Sequence, residues 1–518
     1  MFNEKDIQQI RQHGLTPSEV TRQIEFFKNG MRFPEIEAPA TPEKGIKCLN
    51  DNQIDEFVNL FDKERKNLKV VKFVPASGAA TRMFKSLQAF RHLNLSPEEQ
   101  KRKLSEETAF DSTGNFIRHI RNFAFYSDLK KVLENQGFNL ESLIEEGNIN
   151  LILDYLLEEK GLGYASKPKA LIKFHDYGDF QRTALGEHLA ESALYAVSRD
   201  GKCYLHFTVS AEHLQNIQQL VERVRPYYEN YYHRKFEVAF SIQDPATDTI
   251  AVDMENKPFR DEEGNLVFRP GGHGALIKNL NKIRADLIFV KNIDNVVPDS
   301  LKPSTIRYKK LLAGHLLYLQ EKIFSFLERL DHGDLTENFL KTVKRFMQKE
   351  LMMTFPDYYS LKDMVEKAEF LFIKLNRPLR VCGMVKNVGE PGGGPFYVKN
   401  HEDEMIELQI LESSQFDMTD PDHQRIFHAA THFNPVDMVL GVYDFRGRKF
   451  RLDDFVDPDT AFITIKSKDG RELKALELPG LWNGAMADWN TVFIEVPLNT
   501  FNPVKVVNDL LREQHQGR

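Results

Sequence analysis

From Leu68 to Val290 the chain repeats one pattern: a short apolar run rich in β-branched residues, a turn of small residues, then a stretch with helical spacing. Leu68-Lys-Val-Val-Lys-Phe-Val opens the series, followed by Pro75-Ala-Ser-Gly-Ala-Ala and the helix-like Thr81-Arg-Met-Phe-Lys-Ser-Leu. Lys169-Ala-Leu-Ile-Lys-Phe reads as the next strand, with Leu185-Gly-Glu-His-Leu-Ala-Glu-Ser-Ala-Leu as its helix. Lys202-Cys-Tyr-Leu-His-Phe-Thr-Val precedes a helix over 212–224, and strands at Phe236 and Asp286 flank a helix over 275–283. Strands that alternate with helices need crossover connections, and these build a parallel, doubly wound sheet. The predicted fold class is therefore α/β.

Two charged helical blocks interrupt the pattern. One covers 86–165 and begins its main helix at Ser96-Pro-Glu-Glu, a cap followed by proline; the other covers 301–376. With Thr16-Pro-Ser-Glu as a further helix start, the expected organisation is a helical segment over 1–66, an α/β core over 67–300 carrying the first insertion, a second helical insertion, and a strand- and glycine-rich portion over 377–518. A chain of 518 residues accommodates that many parts.

The formal net charge of −7 speaks against a dedicated nucleic-acid binder, which presents a basic face. Cys48, Cys203 and Cys382 lie too far apart for a disulfide framework or a zinc cluster, and a reducing compartment fits them. The N-terminus is polar, and no run approaches the roughly 18 apolar residues of a membrane span. The expectation is a cytoplasmic monomer or homodimer with small-molecule substrates and neither nucleic-acid nor membrane partners.

Five places carry candidate chemistry. In Ser77-Gly-Ala-Ala-Thr-Arg-Met, small residues let backbone N–H groups approach a phosphate, a helix start favours an anion, and Arg82 can clamp phosphate oxygens; the same residues also describe a plain strand–helix turn. In Lys167-Pro-Lys, the ammonium of Lys169 can reach a cleft at a sheet edge or simply be solvated. Pro270-Gly-Gly-His-Gly has the fixed, exposed backbone that suits a flat base or a phosphate, or a structural turn in which His273 serves loop geometry. Asp294 follows a strand, where α/β sheets bind ligands, and is a magnesium ligand or a helix cap. Lys505, in Phe501-Asn-Pro-Val-Lys, can neutralise phosphate charge. Glu390-Pro-Gly-Gly-Gly-Pro reads as a lining or closing loop or a strand connection, and the pair Trp482 and Trp489 reads as core more than as a sugar platform.

Taken in order, these segments resemble the UDP-sugar pyrophosphorylases, of both the UDP-glucose and UDP-N-acetylhexosamine types, whose nucleotide-binding fold is shared with GT-A glycosyltransferases. Gly78-Ala-Ala-Thr-Arg-Met is similar to the family's G-x-G-T-R-M loop, Lys167-Pro-Lys-Ala-Leu to its P-K-x-L segment, and Phe240-Ser-Ile-Gln-Asp-Pro-Ala to its F-x-Q-x-x-x-P-A run. Pro270-Gly-Gly-His-Gly resembles P-x-G-x-G, and Asn292-Ile-Asp-Asn-Val resembles the V-D-N metal segment. Leu411-Glu-Ser-Ser-Gln, Thr431-His-Phe-Asn and Phe501-Asn-Pro-Val-Lys parallel the later L-E-x-x-Q, T-N-N and F-L-P-V-K segments. The chain as a whole also resembles a bacterial family known as a domain of unknown function. Ala80 departs from the pattern, standing where the family has its second loop glycine.

The resemblance implies a nucleotidyltransferase, UTP:sugar-1-phosphate uridylyltransferase-like, that joins a nucleoside triphosphate to a sugar 1-phosphate with Mg²⁺ and releases pyrophosphate. It assigns Gly78, Ala79, Ala80 and Thr81 to the triphosphate, and Gln243, Gly271 and Gly272 to the base. Arg82, Lys169 and Lys505 become the catalytic cations and Asp294 the metal ligand, with Glu390, Glu412 and Asn434 at the sugar. A GT-A-type glycosyltransferase and a non-catalytic nucleotide- or sugar-binding regulator are the alternatives.

Overall fold

The computed structural model describes residues 2–78, 80–389, 392–468 and 470–517. The chain forms two compact units. Unit 1 comprises 1–69, 242–290 and 310–498, and unit 2 comprises 70–241, 291–309 and 499–518.

Unit 2 carries three strands in the order Val70–Pro75, Cys203–Val209 and Phe236–Ile242, the first two parallel. The Val70–Pro75 strand is buried along nearly its whole length, as a strand covered on both faces must be. The block over 86–165 is helical, as expected, from Lys85–Arg91 to Ile149–Leu157. Its Phe116, Leu129, Leu153 and Leu156 share one core with Val74, Ala80, Phe207, Ile293 and Val504. The block is therefore part of the unit's interior, although in sequence it interrupts the alternation.

Two expectations are corrected here. The run from Lys169 does not enter the strand directly. Lys169–Leu171 is a 3-10 turn, closed by bonds from Leu171 N–H to Pro168 O and Ile172 N–H to Lys169 O. Pro168, fixed in an extended conformation, lends no N–H to a ladder and starts that turn. The strand is Lys173–Asp176, and it pairs antiparallel with Gln181–Thr183 in a separate ribbon. The helix after the first strand begins at Lys85, not Thr81, because Ala80–Arg82 forms a 3-10 turn first.

Unit 1 contains three sheets. In the largest, the Leu379–Lys386 strand lies parallel to Asn490–Glu495 and antiparallel to Asp437–Gly441, which adjoins Leu287–Lys291. A three-stranded sheet orders Glu35–Pro39, Gly394–Lys399 and Ile406–Leu411 over a core of Ile36, Phe396, Leu411 and Phe416. The four-stranded sheet of Phe462–Lys468, Arg471–Glu477, Thr249–Val252 and Phe268–Arg269 packs on the N-terminal helices Glu4–Gln12 and Pro17–Asn29. Both helices start at capping boxes, at Asn3 and Thr16, which satisfy the first free N–H groups. The second helical block supplies Lys302–Asp331, Glu337–Glu350 and Met364–Leu375. The protein is thus α/β, with mostly parallel strands in its main sheet and large helical insertions. Among the described residues, no helix is long and apolar enough to cross a membrane.

Candidate functional site

Unit 2 draws four distant segments together. Ala80 N–H donates to Lys167 O at 3.1 Å, and Val507 N–H donates to Met83 O at 2.9 Å. Val504 N–H donates to Asp294 O at 3.1 Å, and Asn295 forms a bridge with Pro503. Backbone bonds therefore fix the Ala80–Met83 turn, the Lys167–Lys169 turn, the Asp294 segment and the Pro503–Val507 segment as one cluster. Inside it, Lys169 Nζ lies 2.6 Å from Asp294 Oδ2 and 2.7 Å from Val504 O. The ammonium is thus held by a carboxylate and a carbonyl, charge-assisted bonds that fix its position.

Around that pair, Thr81 and Arg82 are exposed, and the Arg82 guanidinium has no partner among the described residues. Gly78 is exposed as well, and a Cβ built on it would meet nothing within 4 Å. Ala80 behaves differently from expectation. Its methyl is fully buried in the unit's core and its N–H is bonded to Lys167, so it shapes the loop and offers no donor to a ligand. Ala79 lies outside the described residues. Lys505 is half-buried, its N–H bonded to Asp509 Oδ2 at 2.8 Å.

Asp294 is the carboxylate this cluster offers a cation. Among the described residues, no three His, Cys, Asp or Glu side chains form a group able to hold a metal ion. The cluster thus offers a cation a single carboxylate, and its Oδ2 is already engaged by Lys169.

Sequence reasoning missed what supports the cluster from behind. Glu191, fully buried, accepts from Lys72 Nζ and Lys291 Nζ, each at 2.7 Å. Burial works against its charge, but the two ammonium groups outweigh it and hold the carboxyl well below its usual range. The neighbouring His188 Nε2 bonds to Ile293 O at 3.1 Å, which ties the charged helix to the residue before Asp294. Glu187 similarly gathers Arg182, Lys302 and His175.

Unit 1 collects the remaining candidates. A Cβ at Gly271 would stand 2.4 Å from Thr247 O, so only glycine permits this approach, and Gly272 needs φ +74°. Gln243 donates to Thr247 Oγ1 at 3.4 Å, which places it beside the glycine loop. In the same loop, His273 Nδ1 accepts from Leu481 N–H at 3.1 Å, leaving the hydrogen on Nε2, which faces Glu412 Oε1 at 3.5 Å. The His273 ring stacks on Trp482 with centroids 4.6 Å apart, while Trp489 is buried. Burial tends to raise the Glu412 carboxyl, but His273 and a hydrogen bond from Asn483 hold it below its ordinary value. His273, read from sequence as loop geometry, is therefore a partner of Glu412; the signal was its place between glycines.

Strand pairing sets Gly394 opposite Leu411, next to Glu412. Glu390 itself lies outside the described residues. Asn434, expected at a sugar hydroxyl, is buried with its amide turned to the backbone. Its Oδ1 accepts from Val436 N–H at 2.8 Å, and its Nδ2 reaches Gly383 O at 3.4 Å. Val436 has φ +57°, a strained value for a β-branched residue, and the Asn434 amide supports that turn.

Residues 3–516 match the family described as "Domain of unknown function (DUF4301)". The chain belongs to this family. No curated protein matches the sequence of this DUF4301 chain. Among solved structures it is similar to UDP-glucose pyrophosphorylase from Leishmania major, at 12% identity and TM-score 0.41, covering 98% of this chain and 78% of the other. It is similar to uridine diphosphate N-acetylglucosamine pyrophosphorylase from Trypanosoma brucei at 11% identity and TM-score 0.48, covering 97% and 75%. A UDP-glucose phosphorylase from Trypanosoma brucei matches at 12% identity and TM-score 0.43, covering 98% and 77%.

Proposed function

We propose that the chain is a nucleotidyltransferase that condenses UTP with a sugar 1-phosphate. The observation that carries this reading is the Lys169–Asp294 pair, fixed on Val504 O beside an exposed turn whose Arg82 has no partner among the described residues. In the reaction, a phosphate oxygen of the sugar 1-phosphate attacks the α-phosphorus of UTP, the bond from that phosphorus to the bridging oxygen breaks, and pyrophosphate leaves. Such transfers need positioning and charge neutralisation more than acid–base groups, which matches a cluster built of cations and one carboxylate.

In this reading, Gly78 and Thr81 border the triphosphate, and Arg82 neutralises the departing pyrophosphate. Lys169, released from Asp294 or shared with it, draws the two phosphates together, and Lys505 meets the sugar phosphate. Asp294 would hold Mg²⁺, which supplies further neutralisation of phosphate oxygens when bound. In unit 1 by itself, the Gly271–Gly272 loop beside Gln243 suits a flat base, and Glu412, oriented by His273, can accept from a hydroxyl. Ala80, with its methyl in the core, places no obstacle before a phosphate.

A pyrophosphate-release screen of UTP, ATP, CTP and GTP against common sugar 1-phosphates, with Mg²⁺, tests the reading. Turnover is expected with UTP and at least one sugar phosphate. The reading fails if no pair turns over and Lys169→Ala binds UTP as the parent does.

A further inference from the structure

Arg380 lies on the Leu379–Lys386 strand of unit 1 and is fully buried. Among the described residues no carboxylate acts on it, and its Nη2 has no hydrogen-bond partner. Burial pushes the guanidinium below its ordinary value, and the one group that favours its charge, Cys382, is a thiol that burial pushes up to about 12. Taking a charge out of water without a counterion is costly, and an aliphatic side chain fills a strand position without that cost. The charge therefore calls for a reason beyond packing.

The reason lies in what the other donors hold. Arg380 Nη1 donates to Trp482 O at 2.6 Å. Its Nε donates to Thr491 Oγ1 at 2.8 Å, and that hydroxyl donates to Trp489 O at 3.1 Å. One planar guanidinium thus reaches the carbonyls at both ends of the Trp482–Trp489 segment, directly at one end and through a hydroxyl at the other. Lysine carries the same charge without this fork. The segment is the one that meets the His273–Glu412 pair. Leu481 N–H donates to His273 Nδ1, the Trp482 ring stacks on the imidazole with an interplanar angle of 18°, and Asn483 supplies a hydrogen bond that helps to hold the Glu412 carboxyl down. The contact has no slack: a Cβ on Gly480 would stand 2.7 Å from His273 Cε1, and one on Gly484 would stand 1.6 Å from Thr460 Oγ1.

We propose that Arg380 is a positioning residue: by clamping the Trp482–Trp489 segment it sets the orientation of His273 and Glu412, and with it the affinity of Glu412 for a sugar hydroxyl. This rests on the reading of Glu412 as a hydroxyl acceptor in the nucleotidyl transfer. A hydrogen bond weakens steeply as its angle closes, so a small rotation of the carboxylate is enough to lose it. A merely structural role would lower stability and act on both substrates alike. A clamp acts on the sugar side, and only while Glu412 is present.

Steady-state kinetics of the full chain with UTP and a sugar 1-phosphate, on the parent and on Arg380→Met, Arg380→Lys and Glu412→Gln, read this directly. Arg380→Met is expected to raise the KM for the sugar 1-phosphate about tenfold and to leave that for UTP within about twofold. Arg380→Lys, which keeps the charge and loses the fork, is expected to behave as Arg380→Met does. In a Glu412→Gln background, Arg380→Met is expected to add less than about twofold, because it acts through Glu412. Thr491→Val keeps the shape of the side chain and removes the hydroxyl between Arg380 and Trp489 O; it is expected to raise the same KM about threefold, and it carries the test where an Arg380 variant does not fold. Acrylamide quenching of Trp482 fluorescence, isolated by subtracting the Trp482→Phe signal, needs no turnover and is expected to rise about twofold in the folded Arg380 and Thr491 variants. If no sugar phosphate turns over, the nucleotidyl-transfer reading has failed and the quenching alone decides the clamp. The proposal is overturned if quenching is unchanged in the folded variants, if both KM values rise together, if Arg380→Lys behaves as the parent, or if Arg380→Met and Glu412→Gln raise the sugar KM independently.

Discussion

Lys169 and Asp294 form a pair whose strength can be measured directly. Nζ and Oδ2 are 2.6 Å apart, with the side chains 15% and 20% exposed. At a charge separation of about 3–4 Å and an effective dielectric constant of about 20, the gross attraction is about 4–5 kcal/mol. Desolvation of two mostly buried groups and the ordering of a long side chain remove most of it, leaving about 1.5–3 kcal/mol for hydrogen bonds to charged groups. Lys169→Met removes the ion pair, strips Val504 O of its donor and strands a carboxylate, so it is expected to destabilise by about 2–3 kcal/mol. Asp294→Asn keeps the Val504 contact and a neutral acceptor, and is expected to cost about 1–1.5 kcal/mol. The double variant loses little beyond Lys169→Met alone, which makes the coupling about 1–1.5 kcal/mol. Urea unfolding of the four proteins at pH 7, followed by circular dichroism with the m-values compared, supplies the cycle. Because the pair is mostly buried, the coupling is expected to survive raised salt. Additivity within about 0.3 kcal/mol would refute the argument, since it would mean that Lys169 is not held by Asp294.

Arg82→Ala is expected to lower the rate of pyrophosphate release about a hundredfold or more while leaving the stability to urea within about 0.5 kcal/mol of the parent, because the side chain is exposed and has no partner among the described residues; a large loss of stability would place it in a structural role instead. Ala80→Gly deletes a buried methyl and loosens the backbone, and is expected to cost about 1–2 kcal/mol with no gain in UTP affinity; tighter UTP binding on titration would show that the methyl does face the ligand. For Glu412, the folded-state pKa lies below the ordinary glutamate value of 4.5, so the charged form is favoured by folding. Its contribution is then fully present above pH 4.5 and lost as pH falls through the depressed value. The stability advantage of the parent over Glu412→Gln is expected to be flat from pH 7 to about 5 and to shrink below pH 4.5; an advantage that grows on acidification would contradict the His273–Glu412 pairing.

The α/β character was legible because buried strands such as Val70–Pro75 and Leu287–Lys291 show it locally, in β-branched runs of the right length. The meeting of Lys169 with Asp294 was legible only through the order of motifs, since 125 residues separate them. What holds them was not. Val504 contributes its backbone carbonyl, and a carbonyl leaves no mark on a sequence. The late start of the helix at Lys85 has a tertiary cause, the bond from Ala80 N–H to Lys167 O, which local propensity cannot anticipate. The buried Glu191 network left a signal that went unread: Lys72 and Lys291 each sit in an apolar strand, and a lysine there needs an acidic partner. The Glu–His-rich helix over 184–195 was the natural place to look. Asn434 misled because its residue type suits a sugar hydroxyl as well as it suits a strained turn.

The bonds from Val504 and Val507 to Asp294 and Met83 also have a temporal meaning. A ribosome delivers Met83 421 residues before Val504. At about 5–20 residues per second, the interval between them is about 20–80 s. Throughout that time the loop and the lysine turn exist without the carbonyl that anchors Lys169. The cluster is thus completed only once the Pro503–Val507 segment has been made, and a chain that stopped before Val504 would leave the Lys169 ammonium without that carbonyl.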